Sequence, residues 1–215
     1  MKNFFESAKK QIFLGVDQVK QIAGLKHAPE DPNFLNHWEQ LQDLELASIN
    51  LYKSLSDLIN STQKLCDTSV TTASTLSSGF DVDDTPYYQK SQQSTAFYTD
   101  CRDYVKDKLW NDINEKCLMP LSDYMQKITD LKKIAEKRKK NRILIEAAVQ
   151  LKEEDEVTRR QEKLSRLTQT YIDGVEALSA QKTPLFVSVF NEHQFCMRSF
   201  IEHAKSGSGI FANDV

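Results

Sequence analysis

After Pro120, no glycine or proline occurs until Gly174. A stretch that long without a helix breaker, with apolar residues at three- and four-residue steps, has one regular structure open to it. It is an α-helix, interrupted only where ordinary residues can build a turn. The whole chain shares the trait. Six glycines and five prolines in 215 residues are less than half the roughly 12% of ordinary usage. The chain is therefore expected to be all-α, with a few long helices and short connections.

Asp31-Pro32 and Thr85-Pro86 are cap-then-proline pairs that mark helix starts, because proline at the first helical position gives up an N–H that has no partner there anyway. From Pro32 to about Leu76 the pattern is a heptad. Leu41, Ser48, Leu55, Thr62 and Ser69 form one row, and Leu44, Leu51, Leu58, Leu65 and Thr72 the other. Small residues in a row suit close approach of neighbouring helices. Ser77-Ser78-Gly79 ends the helix and an acidic loop follows. In the next helix Val105, Leu109, Ile113 and Cys117 continue past Pro120 as Leu121, Tyr124, Ile128 and Leu131. The period survives the proline, so Pro120 is expected to kink the helix rather than end it, and Pro184 to kink the last one. A reversal is expected at 153–158, with Thr158 and Gln161 as a capping box. The aromatic stretches 95–125 and 186–200 are expected to meet. Together these make an elongated antiparallel three-helix coiled-coil bundle with kinked long helices over residues 29–205. Residues 206–215, opening Ser-Gly-Ser-Gly, form a flexible tail.

Residues 1–28 stand apart as an amphipathic helix and hinge. Phe4, Phe5, Ala8, Ile12, Val16 and Val19 make one helical stripe, with Lys2, Lys9, Lys10 and Lys20 off it. The stripe fits an interfacial membrane helix, with Phe4, Phe5 and Ile12 inserting and Lys2, Lys9 and Lys10 at the headgroups. It equally fits a first helix packed on its own protein.

Catalysis finds little support. His27, His37, His193 and His203 lack metal-ligand spacing, and no glycine-rich phosphate loop joins a strand to a helix. Cys66, Cys101, Cys117 and Cys196 form no CxxC pair and are expected as reduced core residues of a cytosolic protein. No enzyme activity, cofactor or metal site is expected, and no window is apolar enough to span a membrane. Charge is the remaining signal. From Lys127 to Arg166 there are thirteen basic and eight acidic residues in a chain of net charge −3, and seven of the cations fall within 132–142. Such a cluster suits an anionic membrane surface. Nucleic acid is not expected as a partner, because no aromatic platform or recognition motif accompanies the cations.

The run Pro120-Leu121-x-x-Tyr124-Met125, then Leu131-Lys132-Lys133-Ile134-x-x-Lys137-Arg138-x-Lys140, resembles the middle helix of BAR domains of the amphiphysin and endophilin type. The amphipathic start resembles the leading helix of the N-BAR subgroup. Thr183-Pro184-Leu185-Phe186 and the aromatic stretch to Phe200 are similar to the end of the family's third helix. The resemblance covers residues 32–205, or 1–205 with the leading helix. It implies a crescent-shaped homodimer, cytoplasmic and peripheral to the membrane, that presses a concave basic face on curved anionic phospholipid in processes such as endocytosis. Lys132, Lys133, Lys137, Arg138 and Lys140 match the family's basic segment; Arg142, Arg159 and Arg160 extend the candidate membrane-binding set. Two departures matter. Leu144-Ile145-Glu146 stands where the family often has Asp-Tyr-Asp, and the tip is Lys152-Glu153-Glu154-Asp155-Glu156 rather than basic. Lipid contact is therefore expected at the middle of the arc. The alternative from another class is a spectrin-like scaffold that binds proteins without lipid. The sequence identifies no protein partner beyond a second copy.

Overall fold

The computed structural model describes residues 30–81 and 85–208. The leading stripe with Phe4, Phe5, Ile12, Lys2, Lys9 and Lys10, and the tail beyond Ser208, lie outside the described residues. Three helical runs make up the described residues. The first is α1 (Pro32–Ser78). The second is continuous: α2 (Thr85–Tyr104), a π turn (Val105–Leu109), α3 (Trp110–Ile113), a second π turn (Asn114–Leu118) and α4 (Met119–Leu151). The third is α5 (Glu154–Gly207), which ends two residues later than the expected bundle boundary at 205. No strand occurs among the described residues.

The first helix starts as its residues dictate. Asp31 accepts a hydrogen bond on Oδ1 from the Asn33 N–H at 2.9 Å, with Pro32 at the first helical position. The buried row of α1 departs from the heptad expectation. Leu41, Leu44, Ser48 and Leu55 are buried, but the row then passes to Ile59, Cys66 and Ala73, while Leu65 of the expected leucine row is 67% exposed. An α-helix turns 3.6 residues at a time, so a strict seven-residue row drifts about 20° per repeat and leaves the core after a few turns. Ser48 is tolerated in the core because its hydroxyl donates to the Leu44 carbonyl at 2.7 Å.

The second run shows the opposite adjustment. Val105, Leu109, Ile113, Cys117 and Leu121 recur every four residues, and each is no more than 1% exposed. In a uniform α-helix residues four apart rotate about 40° further round at each step, so this row would spiral out of the core. The two π turns, whose backbone bonds span one residue more, keep it on one face. Trp110 N–H bonds to the Val105 carbonyl and Met119 N–H to that of Asn114. The second π turn also immediately precedes Pro120, whose ring would otherwise crowd the carbonyl four residues back. The chain stays helical through Pro120 and through Pro184, which lies inside α5.

By internal contacts the chain divides into two compact units, each assembled from parts of α1, α4 and α5. The larger comprises His37–Lys133 and residues 172–208 among those described. Its core joins Leu55, Ile59 and Cys66 of α1 to the four-spaced row and to Val189 and Cys196 of α5, with Phe97, Tyr104, Phe186 and Phe200 packed against it. The two aromatic stretches therefore do meet. Within this unit α4 and α5 run antiparallel: Cys117 Sγ lies 3.7 Å from the Val189 carbonyl, and the Tyr124 hydroxyl donates to that of Leu178 at 2.7 Å. Gly174 allows the close approach, since a Cβ there would overlap the Leu131 side chain. All four cysteines are free and buried, and burial pushes the Cys117 thiol up to about 11.

The smaller unit holds residues 30–36 and Ile134–Tyr171. It contains the reversal, which is tighter and earlier than expected. Lys152 adopts φ 59°, its N–H bonds to the Val149 carbonyl at 3.2 Å, and the Glu153 N–H reaches back to that of Ala148 at 3.0 Å. These two bonds close a helix in the Schellman manner, with a lysine in the left-handed position that glycine usually takes. Thr158 is no cap. It lies inside α5, donating to the Glu154 carbonyl at 3.1 Å.

The shifted row in α1 makes a direct prediction. Ile59→Ala should cost about 2–5 kcal/mol of unfolding free energy, and Leu65→Ala should stay within about 0.5 kcal/mol of the parent, both read from denaturant melts. Equal losses would mean that the heptad rows, and not the drifted row, form the core.

Candidate functional site

The basic run divides between the two units and between two kinds of environment. In the larger unit Lys132 is partly buried and donates to Glu45 Oε1 at 2.6 Å. Lys133 is exposed and pairs with Asp130 at 2.8 Å. Its ammonium, by that hydrogen bond, holds the Asp130 carboxyl below the usual carboxylate range.

In the smaller unit Arg138 is not at the surface. It is 3% exposed. Its guanidinium pairs with Glu30 Oε1 at 2.8 Å, donates through Nε to Thr168 Oγ1 at 2.8 Å, and lies 3.7 Å from the centre of the Phe34 ring. Phe34 in turn packs on Tyr171 with centroids 4.9 Å apart. Burial pushes the Tyr171 hydroxyl pKa well up, and the Arg138 charge opposes part of that shift. Arg142, one turn on, reaches the other oxygen of the same carboxylate. This is a buried charge satisfied on several sides, the condition under which burial of a guanidinium is tolerated. A side chain enclosed in this way does not reach a lipid headgroup.

Lys137 and Lys140 behave differently. Three residues apart, they share one face of α4, both are exposed, and neither forms an ion pair among the described residues. Arg159 is exposed and pairs with Glu156 at 2.6 Å; Arg160 is partly buried and reaches the same carboxylate at 2.6 Å. The hydrogen bond from Arg159 lowers the Glu156 pKa and raises that of Arg159 itself. The basic set thus resolves into a clasp on Glu30 (buried Arg138 with partly buried Arg142), compensated cations (Lys132, Lys133, Arg159, Arg160) and uncompensated ones (Lys137, Lys140).

The two prolines come together in the larger unit. Pro120 and Pro184 line one cleft of about 540 Å³ with Tyr124, Lys127, Ala177 and Gln181. Lys127 closes part of it by a 3.2 Å bond to Gln181. No group of three His, Cys, Asp or Glu side chains among the described residues is arranged to hold a metal ion. His203 stacks on Tyr104 at 4.1 Å and sits 2.8 Å from Asp100. No described helix is long and apolar enough to cross a membrane.

Sequence reasoning missed Glu30, Phe34 and Thr168. One signal was available: Arg138 falls in register with Leu131, Ala135 and Ile145 on the apolar stripe of α4, where a surface cation has no place. The apolar-aromatic stretch of α5 that the sequence marks also presents an exposed face. Val187, Phe190, Phe195 and Ile201 are 52%, 60%, 58% and 48% exposed.

No protein-family model matches the chain, and no curated protein sequence matches it. Among solved structures it is similar to the amphiphysin BAR domain from Drosophila, at a TM-score of 0.63 and 13% sequence identity, over 87% of this chain and 94% of that one. The N-terminal I-BAR domain of D. discoideum IBARa matches at a TM-score of 0.44 and 14% identity, over 86% of this chain and 89% of that one. The likeness to the amphiphysin domain is one of fold, extends over nearly its whole length, and agrees with three long helical runs and no described strand: the chain has a BAR-domain-like all-α fold.

Proposed function

We propose that this protein is a non-enzymatic, cytoplasmic, peripheral membrane protein that binds anionic phospholipid and senses or generates curvature as a crescent-shaped homodimer. The observation that carries the lipid reading is the pair Lys137 and Lys140, exposed on one face of α4 with no ion pair among the described residues. Each cation brought to an anionic leaflet contributes on the order of 1 kcal/mol, so two per chain become four in a dimer. Lys133 and Arg159 add to the surface, because an exposed ion pair is worth only about 0–1 kcal/mol and exchanges its carboxylate readily for a phosphate. Arg138 has no part in it.

The homodimer is supported by the exposed apolar face of α5. Three large side chains, Val187, Phe190 and Ile201, recur at helical spacing with Phe195 beside them, more than the scattered single residues of an ordinary surface. A second copy gives this face a place to be buried, and the dimer then carries two basic faces for curved membrane.

Two experiments test these claims. Lys137→Glu with Lys140→Glu should weaken pelleting with phosphatidylserine vesicles by about tenfold or more, and raised salt should weaken the parent protein in the same direction. Unchanged pelleting, or equal pelleting with neutral phosphatidylcholine vesicles, contradicts the lipid reading and favours a scaffold that binds proteins only. Phe190→Glu should halve the mass seen by sedimentation equilibrium; a parent protein that already sediments as a monomer contradicts the dimer.

A further inference from the structure

In the smaller unit, the outward side of α4 is not the polar face that a solvent-exposed helix normally carries. Lys137, Lys140, Leu144, Ala147 and Leu151 follow one another in steps of three, four, three and four, so they form one stripe along the helix. The buried residues Arg138, Asn141 and Ala148 each come one position after a member of this stripe, about 100° round the helix. The stripe therefore runs beside the packed side and not within it. Leu144 is 44% and Leu151 69% exposed, and Ala147 between them is partly exposed. The stripe is about 21 Å long at 1.5 Å per residue. It is cationic at one end and apolar at the end nearer the reversal at Lys152.

The neighbouring stretch of α5 adds cations. The Asn141 side chain donates to the Arg160 carbonyl at 2.7 Å, so these two positions lie side by side. Around them Arg159, Lys163 and Arg166 recur at helical spacing, all exposed. Arg159 and Arg166 pair with carboxylates of their own helix, Glu156 and Glu162. Lys163 forms no ion pair among the described residues. Exposed leucines alone would suit any apolar partner, but their setting here is selective. The core of a protein interface is depleted in lysine, whereas the boundary between headgroups and acyl chains suits apolar side chains flanked by lysine and arginine.

We propose that Leu144 and Leu151 insert at the acyl boundary of a phospholipid leaflet while Lys137, Lys140 and Lys163 hold its phosphates. This rests on the lipid reading above and adds an apolar contact to it. The addition matters most at the reversal. Glu153, Glu154 and Asp155, all exposed, oppose an anionic surface right beside Leu151, and insertion of a leucine needs no favourable charge there. Raised salt then weakens attachment without abolishing it, because salt screens the lysines and leaves the apolar contact in place.

Tryptophan placed on the stripe of the full chain tests this, with vesicles of phosphatidylserine and phosphatidylcholine brominated on their acyl chains. Leu144→Trp and Leu151→Trp should each be quenched well beyond the parent protein, whose own Trp38 and Trp110 set the baseline. Gln150→Trp, exposed but off the stripe, should stay at that baseline. Leu144→Ser with Leu151→Ser, at sites already exposed, should keep the parent's unfolding midpoint and lower the binding that survives high salt by about tenfold or more. Pelleting of the parent with neither stripe tryptophan quenched overturns this inference alone. No pelleting of the parent overturns the lipid reading and this inference together. A fall in sedimentation mass in the serine variant also overturns it, because a second copy then covers the stripe.

Discussion

The guanidinium of Arg138 is the most demanding group in the smaller unit. Removing an ion from water costs several kcal/mol unless geometry and hydrogen bonding return it. Here Glu30, Thr168 and the face of Phe34 surround it. Each partner comes from a different part of the chain: Glu30 from the approach to α1, Phe34 from its first turn, Thr168 from α5. Satisfying one charge therefore fixes where α1 begins against the α4–α5 hairpin. The cation row on α4 is built around this requirement, so its most buried member is the one least able to serve a membrane.

That division reframes the charge cluster. Seven cations within 132–142 read as one surface, yet folding assigns them different tasks. Arg138 and Arg142 hold Glu30, Lys132 holds Glu45, and Lys137 and Lys140 face outward. A surface built from the last two, helped by weakly paired neighbours, is smaller than the sequence implies and more sensitive to salt.

Much of the fold was legible, for local reasons. Helix starts at Asp31-Pro32 and the stop after Ser78 rest on capping and breaker chemistry within a few residues, and the structure places them there. The cysteines read correctly as core because nothing near them offered a metal or redox role. Three features were hidden by different physics. Leu65 looked like core because a heptad is easily seen, while the 3.6-residue helix drifts from it to Ile59 and Cys66. The π turns were present as strict four-residue spacing from Val105 to Leu121, a pattern that is easily taken for an ordinary helical stripe. The reversal escaped because Lys152 occupies a left-handed position normally marked by glycine. At the site, Arg138 was misplaced because charge alone suggests surface, whereas its register with Leu131 and Ala135 put it inside.

The central claim is that the buried Arg138 and the partly buried Glu30 act as one coupled unit. A double-mutant cycle with Glu30→Gln and Arg138→Met, followed by denaturant unfolding, tests it most directly. The account predicts a coupling free energy of about 1–3 kcal/mol, each single change being costly and the second adding little once the first is made. Additive single changes, with coupling near zero, would show that Arg138 is an ordinary surface cation and would contradict the account.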